Sequence, residues 1–320
     1  MRQGIHVAGS IIVDQIQEVD AYPSRGELTK ILGVQKSCGG LVPNVAVDLK
    51  RIAPALCVSA GGRIGDDDNG RFVLDRLRSE GVRTEEVAVE RGGVTSFTLV
   101  VSERGGERTF LNYPGSGAGF GMSDVPFQEL DCKMYHLGYF LLLDKVDAGE
   151  GEAILRRLQS LGIRTSIDLV TEDSDRYAQV RPCLRYVDNL IVNEAEASRL
   201  AGIAYDGSNL EEIMHALKGL GVRERVVVHM PEKGCLLSDR GFFELPSYDL
   251  PPGFIQGATG AGDAFCAGVL YGIHEDWDEN RILQFAVQCA TVSLSSVDAT
   301  GALCTEKEIK ERCKNLKRKC

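Results

Sequence analysis

Residues 257–265 read GATGAGDAF, a run of small side chains with one carboxylate, Asp263, placed where an apolar run begins. The proline-rich stretch YDLPPGFIQ precedes it and a helical pattern follows, so Gly260, Ala261 and Gly262 fall at a helix N-terminus. The first N–H groups of a helix have no partner within the helix and carry partial positive charge. With no side chains in the way they can receive an anion such as phosphate. A carboxylate beside that site repels the anion unless it has a task. One such task is to accept the proton of a hydroxyl that attacks phosphorus. The other reading of Asp263 is that its charge simply favours the helix start. No GxxxxGK[ST] loop occurs, and no GxGxxG follows a strand near the N-terminus.

The elements that must position this loop read as an α/β chain. IHVAGSIIV (5–13) is a first strand, and CGG leads into the helical pattern LVPNVAVDLKRI. ALCVSAGGRIG is a buried strand and DDNGRFVLDRLRSEGV an amphipathic helix. Further on, strands (KMYHLGYF, RTSIDLV, NLIVN, RVVVHM, GCLLSD) alternate with helices (GEAILRRLQSLG, YAQVRPCLRYV, EAEASRLAG, LEEIMHALKGLG), and two long helices close the pattern. Such alternation predicts a mainly parallel sheet with helices on both faces. Two β-rich insertions, about 14–37 and 91–115, break it. The second reads as a hairpin, TSFTLVVS and RTFLNYPG around the turn ERGGE, and the two are expected to pair as a small sheet over one edge of the core, a lid that excludes water. No repeat, low-complexity segment or linker divides the chain, so residues 1–320 are expected to form a single domain.

Composition narrows the classes. The 320 residues carry 36 basic and 46 acidic side chains, a net charge of −10, which gives no broad basic field for nucleic acid. The basic tail KEIKERCKNLKRKC reads as the exposed end of a last helix. No apolar run approaches the roughly 18–20 residues of a membrane span, and no signal peptide precedes the first strand, so a cytoplasmic protein without membrane contact is expected. The ten cysteines are scattered, with no C-x-x-C pair, and read as reduced thiols. Because Cys and His do not cluster along the chain, a zinc site is not expected.

Five stretches in order resemble the ribokinase-like (pfkB) carbohydrate kinases over almost the whole chain: GSIIVD (9–14), CGGLVPNVAVDLKRI (38–52), GRIGDDDNGRFVLDRLRSEGV (62–82), NEAEA (193–197) and GATGAGDAFCAGVL (257–270). The resemblance implies a ribokinase-like three-layer α/β/α core with a small β-sheet lid. It also implies an ATP-dependent, Mg2+-requiring kinase acting on a hydroxymethyl group of an unphosphorylated monosaccharide. Asp263 would be the base, and the backbone of Gly260, Ala261 and Gly262 the anion hole. Asn193 and Glu196 would place the phosphates and Mg2+ through water; without the resemblance they read as a helix N-cap and a surface helix residue. Asp14, Gly39, Gly40 and Asn44 would bind the sugar. HMPEKGCLL, with Lys233 and Gly234, and the region of Gln288 and SSVDATGA would border the nucleotide.

The chain also departs from the pattern. Relatives activated by K+ carry an aspartate where Gly257 stands, which leaves K+ open. Leu41 replaces the lysine that ribose kinases and some phosphosugar kinases carry after the paired glycines, which argues against ribose and against a phosphorylated acceptor. In the lid, Tyr113 reads as a ring-stacking residue or as packing. His136 reads as a core residue or a ligand, and Asp168 as lying on the C-terminal rim of the sheet. The resemblance leaves a nucleoside kinase or a non-catalytic sugar sensor as alternatives. It also suggests a homodimer through the lid.

Overall fold

The structure, a computed structural model, describes residues 2–103, 108–172 and 174–319. Strands β1 (Ile5–Gly9), β2 (Ile12–Val19) and β3 (Ile31–Gly39) lead into α1 (Leu41–Ile52), then β4 (Val58–Gly65), α2 (Asp68–Ser79) and β5 (Val87–Glu90). Next come β6 (Phe97–Glu103), β7 (Arg108–Tyr113), β8 (Met134–Phe140), α3 (Gly151–Ser160), β9 (Arg164–Leu169) and β10 (Asn189–Asn193). The chain continues through α4 (Glu194–Ala201), α5 (Leu210–Gly219), β11 (Arg225–His229), β12 (Lys233–Ser238), β13 (Gly241–Pro246) and β14 (Tyr248–Asp249). It ends with α6 (Ala261–His274), α7 (Glu279–Ser293), α8 (Glu306–Cys313) and β15 (Lys317–Arg318).

Nine strands form the main sheet in the order β13-β12-β11-β10-β9-β8-β1-β4-β5. Every pairing from β11 to β5 is parallel, and β12 and β13 add an antiparallel edge. Strands buried on both faces must be apolar throughout, and β1 and the Val226–Val228 run of β11 are. Alternation then divides each strand between two cores. Val227 and Ile191 pack with α1, α6 and α7 on one face. Val226, Val228, Leu190 and Val192 pack with α3, α4 and α5 on the other. The result is the three-layer α/β/α arrangement expected of a ribokinase-like chain.

A second, four-stranded sheet has the order β3-β2-β6-β7. A parallel β2–β6 pairing joins the two insertions, as expected, and antiparallel pairs flank it. The hairpin turn at 104–107 lies outside the described residues.

The elements differ from expectation in three ways. The first strand is split, because Ser10 leaves the sheet to receive the start of α1: its Oγ accepts the amide of Leu41 at 3.1 Å and its carbonyl that of Val42 at 3.1 Å. YAQVRPCLRYV forms two short 3-10 segments, Arg176–Gln179 and Arg181–Tyr186, since Pro182 cannot donate to a continuous helix. Strands β5 and β13 were not expected, their four and six residues being short and only partly apolar. As a test of the two-faced core, Leu190→Ala in β10, fully buried at 0% exposure, should cost about 2–5 kcal/mol. Urea unfolding should show a lower midpoint at an unchanged slope.

Candidate active site

Helix α6 begins where the sequence places it. Gly260 caps it with φ of 82°, and a Cβ there would fall 2.5 Å from the carbonyl oxygen of Ala299, so only glycine fits without strain. The amides of Gly262 and Asp263 lie in the first turn, where the helix supplies no acceptor. Asp263 itself is buried at 6% exposure. Its Oδ2 accepts from Asn44 Nδ2 at 2.8 Å, and Tyr139 Oη lies 3.0 Å from Oδ1 and 3.3 Å from Oδ2. Burial pushes its carboxyl up to about 7; the Asn44 hydrogen bond opposes the rise, the charge of Asp168 adds to it, and the Tyr139 hydrogen bond opposes it.

Asn44, expected on the sugar side, is thus in direct contact with the acidic group. Tyr139 was not foreseen. It follows a glycine at the end of β8 with φ of 57°, a conformation rare for an aromatic residue and one that strand patterning does not signal. Its amide is held by Asp168 Oδ1 at 2.7 Å.

Asn193 and Glu196 close a reciprocal cap on α4: Asn193 Oδ1 accepts from the Glu196 amide at 2.8 Å and Glu196 Oε2 from the Asn193 amide at 3.0 Å. The N-cap reading of Asn193 is therefore correct. Glu196, however, is buried rather than on the surface, and burial pushes its carboxyl up to about 7. Thr171, which the sequence reading missed, joins the pair, accepting from Asn193 Nδ2 at 2.7 Å and donating to Glu196 Oε1 at 2.6 Å. Asp168, Asn193, Glu196, Asp263 and Tyr139 line one cavity of about 280 Å³. Its wall is rich in oxygen and acidic, a donor set that suits a hard divalent cation such as Mg2+.

A larger cavity of about 670 Å³ shares Thr171, Asn193 and Gly262 with the first. Gly234, Tyr248, Phe265, Val287 and Leu294 give it largely apolar walls. Gly234 is where the sequence put it. Gln288 is not: it lies outside this cavity, with Nε2 3.3 Å from Tyr248 Oη, because the α7 stripe facing the cavity runs through 287, 290, 291 and 294. Lys233 is occupied by Glu244 at 2.6 Å.

On the lid side, Asp14 in β2 has no hydrogen-bond partner among the described residues, and burial pushes its carboxyl up to about 6. Gly39 makes room for it, since a Cβ there would sit 2.3 Å from Asp14 Oδ2. Gly40 caps α1, which carries Asn44 one turn further on. Strand register adds residues that the sequence reading did not single out: Ser37, Asp14, Thr98 and Asn112 form one polar row across the lid. Tyr113 packs on Phe97 with ring centroids 5.2 Å apart, and His136 is fully buried. Leu41 is buried as well, so no cation follows the paired glycines.

Comparison with known proteins agrees with this geometry. The model of the pfkB family of carbohydrate kinases matches residues 2–306. An ATP-dependent ribose-1-phosphate kinase from Halopiger xanaduensis is 28% identical, over 92% of this chain and 93% of its own. Fructokinase-2 from Oryza sativa is 26% identical, over 94% and 87%. Among solved structures, Arabidopsis thaliana ribokinase complexed with ribose and ATP superimposes with a TM-score of 0.85 at 21% identity, covering 97% of this chain and 98% of that one. An Escherichia coli protein solved with ATP and Mg2+ gives 0.78 at 18%, covering 98% and 99%. These likenesses show the ribokinase-like fold.

The raised carboxyl of Asp263 has a consequence for stability. A group moved from 3.8 to about 7 by folding is uncharged at low pH in both states; as pH rises the unfolded chain ionises first, so folding is penalised. The penalty is absent below about pH 4 and complete above about pH 7, where it is of the order of 4 kcal/mol. Asp263→Asn should therefore raise the melting temperature by several degrees at pH 8 and leave it unchanged at pH 3.5.

Proposed function

The chain belongs to the pfkB family of carbohydrate kinases and is a phosphotransferase, and from that premise we propose that it transfers the γ-phosphoryl group of ATP to a hydroxymethyl group of an unphosphorylated monosaccharide, with Asp263 as the general base. The observation that carries this reading is the buried Asp263 carboxylate, held by Asn44 and Tyr139 beside the open amides of α6. A base whose pKa lies near 7 both accepts a proton and gives it up at physiological pH. The amides of Gly262 and Asp263 face the charge that develops on the transferred group. The apolar cavity beside Gly234 and Val287 has the size and character for a nucleotide base. Asp14, free of protein partners, accepts from sugar hydroxyls, with Gly39 and Gly40 letting the ring approach the backbone. When bound, Mg2+ supplies charge neutralisation on the phosphates; Asn193 and Glu196 would hold it through water. Closure of the four-stranded lid keeps water from being the acceptor. The relatives named above act on different sugars, one of them phosphorylated. The choice of an unphosphorylated acceptor rests on buried Leu41, where nothing basic is offered to a second phosphate.

The lid also exposes a set of apolar side chains, among them Leu28, Val34, Phe110 and Leu111, with Leu28 exposed at 93% and Val34 at 72%. From these exposed side chains, of which Val34 and Leu111 share one face of the lid sheet, we infer a homodimer in which two lids cover each other.

Two measurements test these readings. ADP release from Mg-ATP is followed against a panel of free sugars, sugar acids, sugar phosphates and nucleosides. One unphosphorylated sugar should give turnover, and Asp263→Asn should lower its kcat by about 10²–10⁴. A nucleoside or sugar phosphate as best acceptor would overturn the substrate class, and full activity of the variant would overturn the base. For the dimer, analytical ultracentrifugation of Val34→Asp should show half the wild-type mass, whereas an unchanged mass would remove the lid from the interface.

A further inference from the structure

Three side chains that the transfer mechanism does not require in concert meet at the floor of the acidic cavity. His136 comes from β8, Asp168 from β9 and Cys266 from α6, and all three are buried. His136 Nε2 lies 3.5 Å from Cys266 Sγ and 3.7 Å from Asp168 Oδ2, and the three ligand atoms fall within 4.8 Å of one another. No other group of this kind occurs among the described residues. In a tetrahedral zinc site with bonds of about 2.0–2.3 Å, ligand atoms stand roughly 3.3–3.7 Å apart, so the two spacings to His136 are those of a formed site.

The outer atoms of the ligands are already tied down. His136 Nδ1 is 2.9 Å from Ser166 Oγ, and Asp168 Oδ1 accepts the Tyr139 amide at 2.7 Å. Such outer contacts fix a metal-binding imidazole and carboxylate in place and leave Nε2 and Oδ2 to point inward. Asp168 and Cys266 also line the cavity of about 280 Å³, so a fourth ligand position faces open space rather than packed core. The competing account is a plain hydrogen bond from the Cys266 thiol to Nε2.

We propose that His136, Asp168 and Cys266 form a three-ligand site for a soft divalent cation of the zinc class, with its fourth position open to the catalytic cavity. Binding replaces the Cys266 S–H proton, which leaves to water. The thiolate selects against Mg2+, which takes oxygen ligands. An ion here sits in the same cavity as Asp263, so zinc inhibits turnover instead of replacing Mg2+. That inhibition rests on the proposed transfer reaction; the binding does not.

The experiment is a Co2+ titration of the metal-free full chain, read by absorption. The expected result is one equivalent of tetrahedral Co2+ with a thiolate charge-transfer band, displaced by Zn2+. Cys266→Ser should abolish that band and weaken binding at least tenfold, and Asp168→Asn should weaken it at least tenfold. A variant with Cys38, Cys57 and Cys304 all changed to Ser, the cysteines with solvent access among the described residues, should keep the band. Thermal unfolding without metal shows which variants fold; should Cys266→Ser not fold, the Asp168→Asn and triple variants decide. Absence of a thiolate band in the wild type, its persistence in Cys266→Ser, or its loss in the triple variant would overturn the site. Zinc binding without inhibition would overturn only its link to catalysis.

Discussion

In the proposed reaction a carboxylate has to remain ionisable while buried at the end of a helix whose first amides would receive phosphate. Removing an ion from water costs several kcal/mol even after relaxation, and Asp263 sits at 6% exposure. Its compensation comes from distant parts of the chain: the amide of Asn44 on α1, the hydroxyl of Tyr139 near the end of β8, and the positive end of α6 itself. These contacts in turn dictate the surrounding structure. Helix α1 must cross α6 at the level of Asn44, which requires Ser10 to leave the first strand and receive the α1 amides. The chain must adopt left-handed conformations at Tyr139, near the end of β8, and at Leu141, just past it, so that the ring reaches the carboxylate while the amide reaches Asp168.

The same site concentrates negative charge. Asp168, Glu196 and Asp263 share one wall, burial raises the pKa of each, and no Lys or Arg lines that cavity among the described residues. Asp48, one turn beyond Asn44, is fully buried with neither oxygen paired, and burial holds its carboxyl well above the usual range, with the charge of Asp263 adding to the rise. Burial there favours its uncharged form. A cavity of this kind repels a polyphosphate on its own. In the proposed reaction it would accept one with the α6 amides on the phosphoryl oxygens and a divalent cation screening the acids, so the acidity of the wall and the call for a metal would be two sides of one electrostatic arrangement.

What could be read in advance was whatever is written locally. The glycines before Asp263 specify a helix N-terminus free of side chains. Asn193 before a helical pattern specifies an N-cap, though not the buried Glu196 that completes it, and β-rich composition in the two insertions specifies a small sheet. Each is a signal within a few residues. Tyr139 was not legible, because its role depends on a backbone conformation that tyrosine rarely adopts. Gln288 was misplaced by one helical position, which on a helix is enough to turn a side chain away from the cavity and into a buried contact with Tyr248.

The contacts that build the site span 219 residues between Asn44 and Asp263, 124 between Tyr139 and Asp263, and 130 between His136 and Cys266. No spacing rule reaches across such distances; topology does. In a parallel sheet every strand ends at the same rim, so residues that close strands β8, β9 and β10 converge there whatever their separation in sequence. Helix α6 then enters that rim by its N-terminus and brings Asp263 and Cys266 one turn apart. A scattered set of Cys, His and Asp is therefore weak evidence against a metal site in such a fold. Scatter along the chain with a shared position at strand ends is what a rim-built site looks like in sequence.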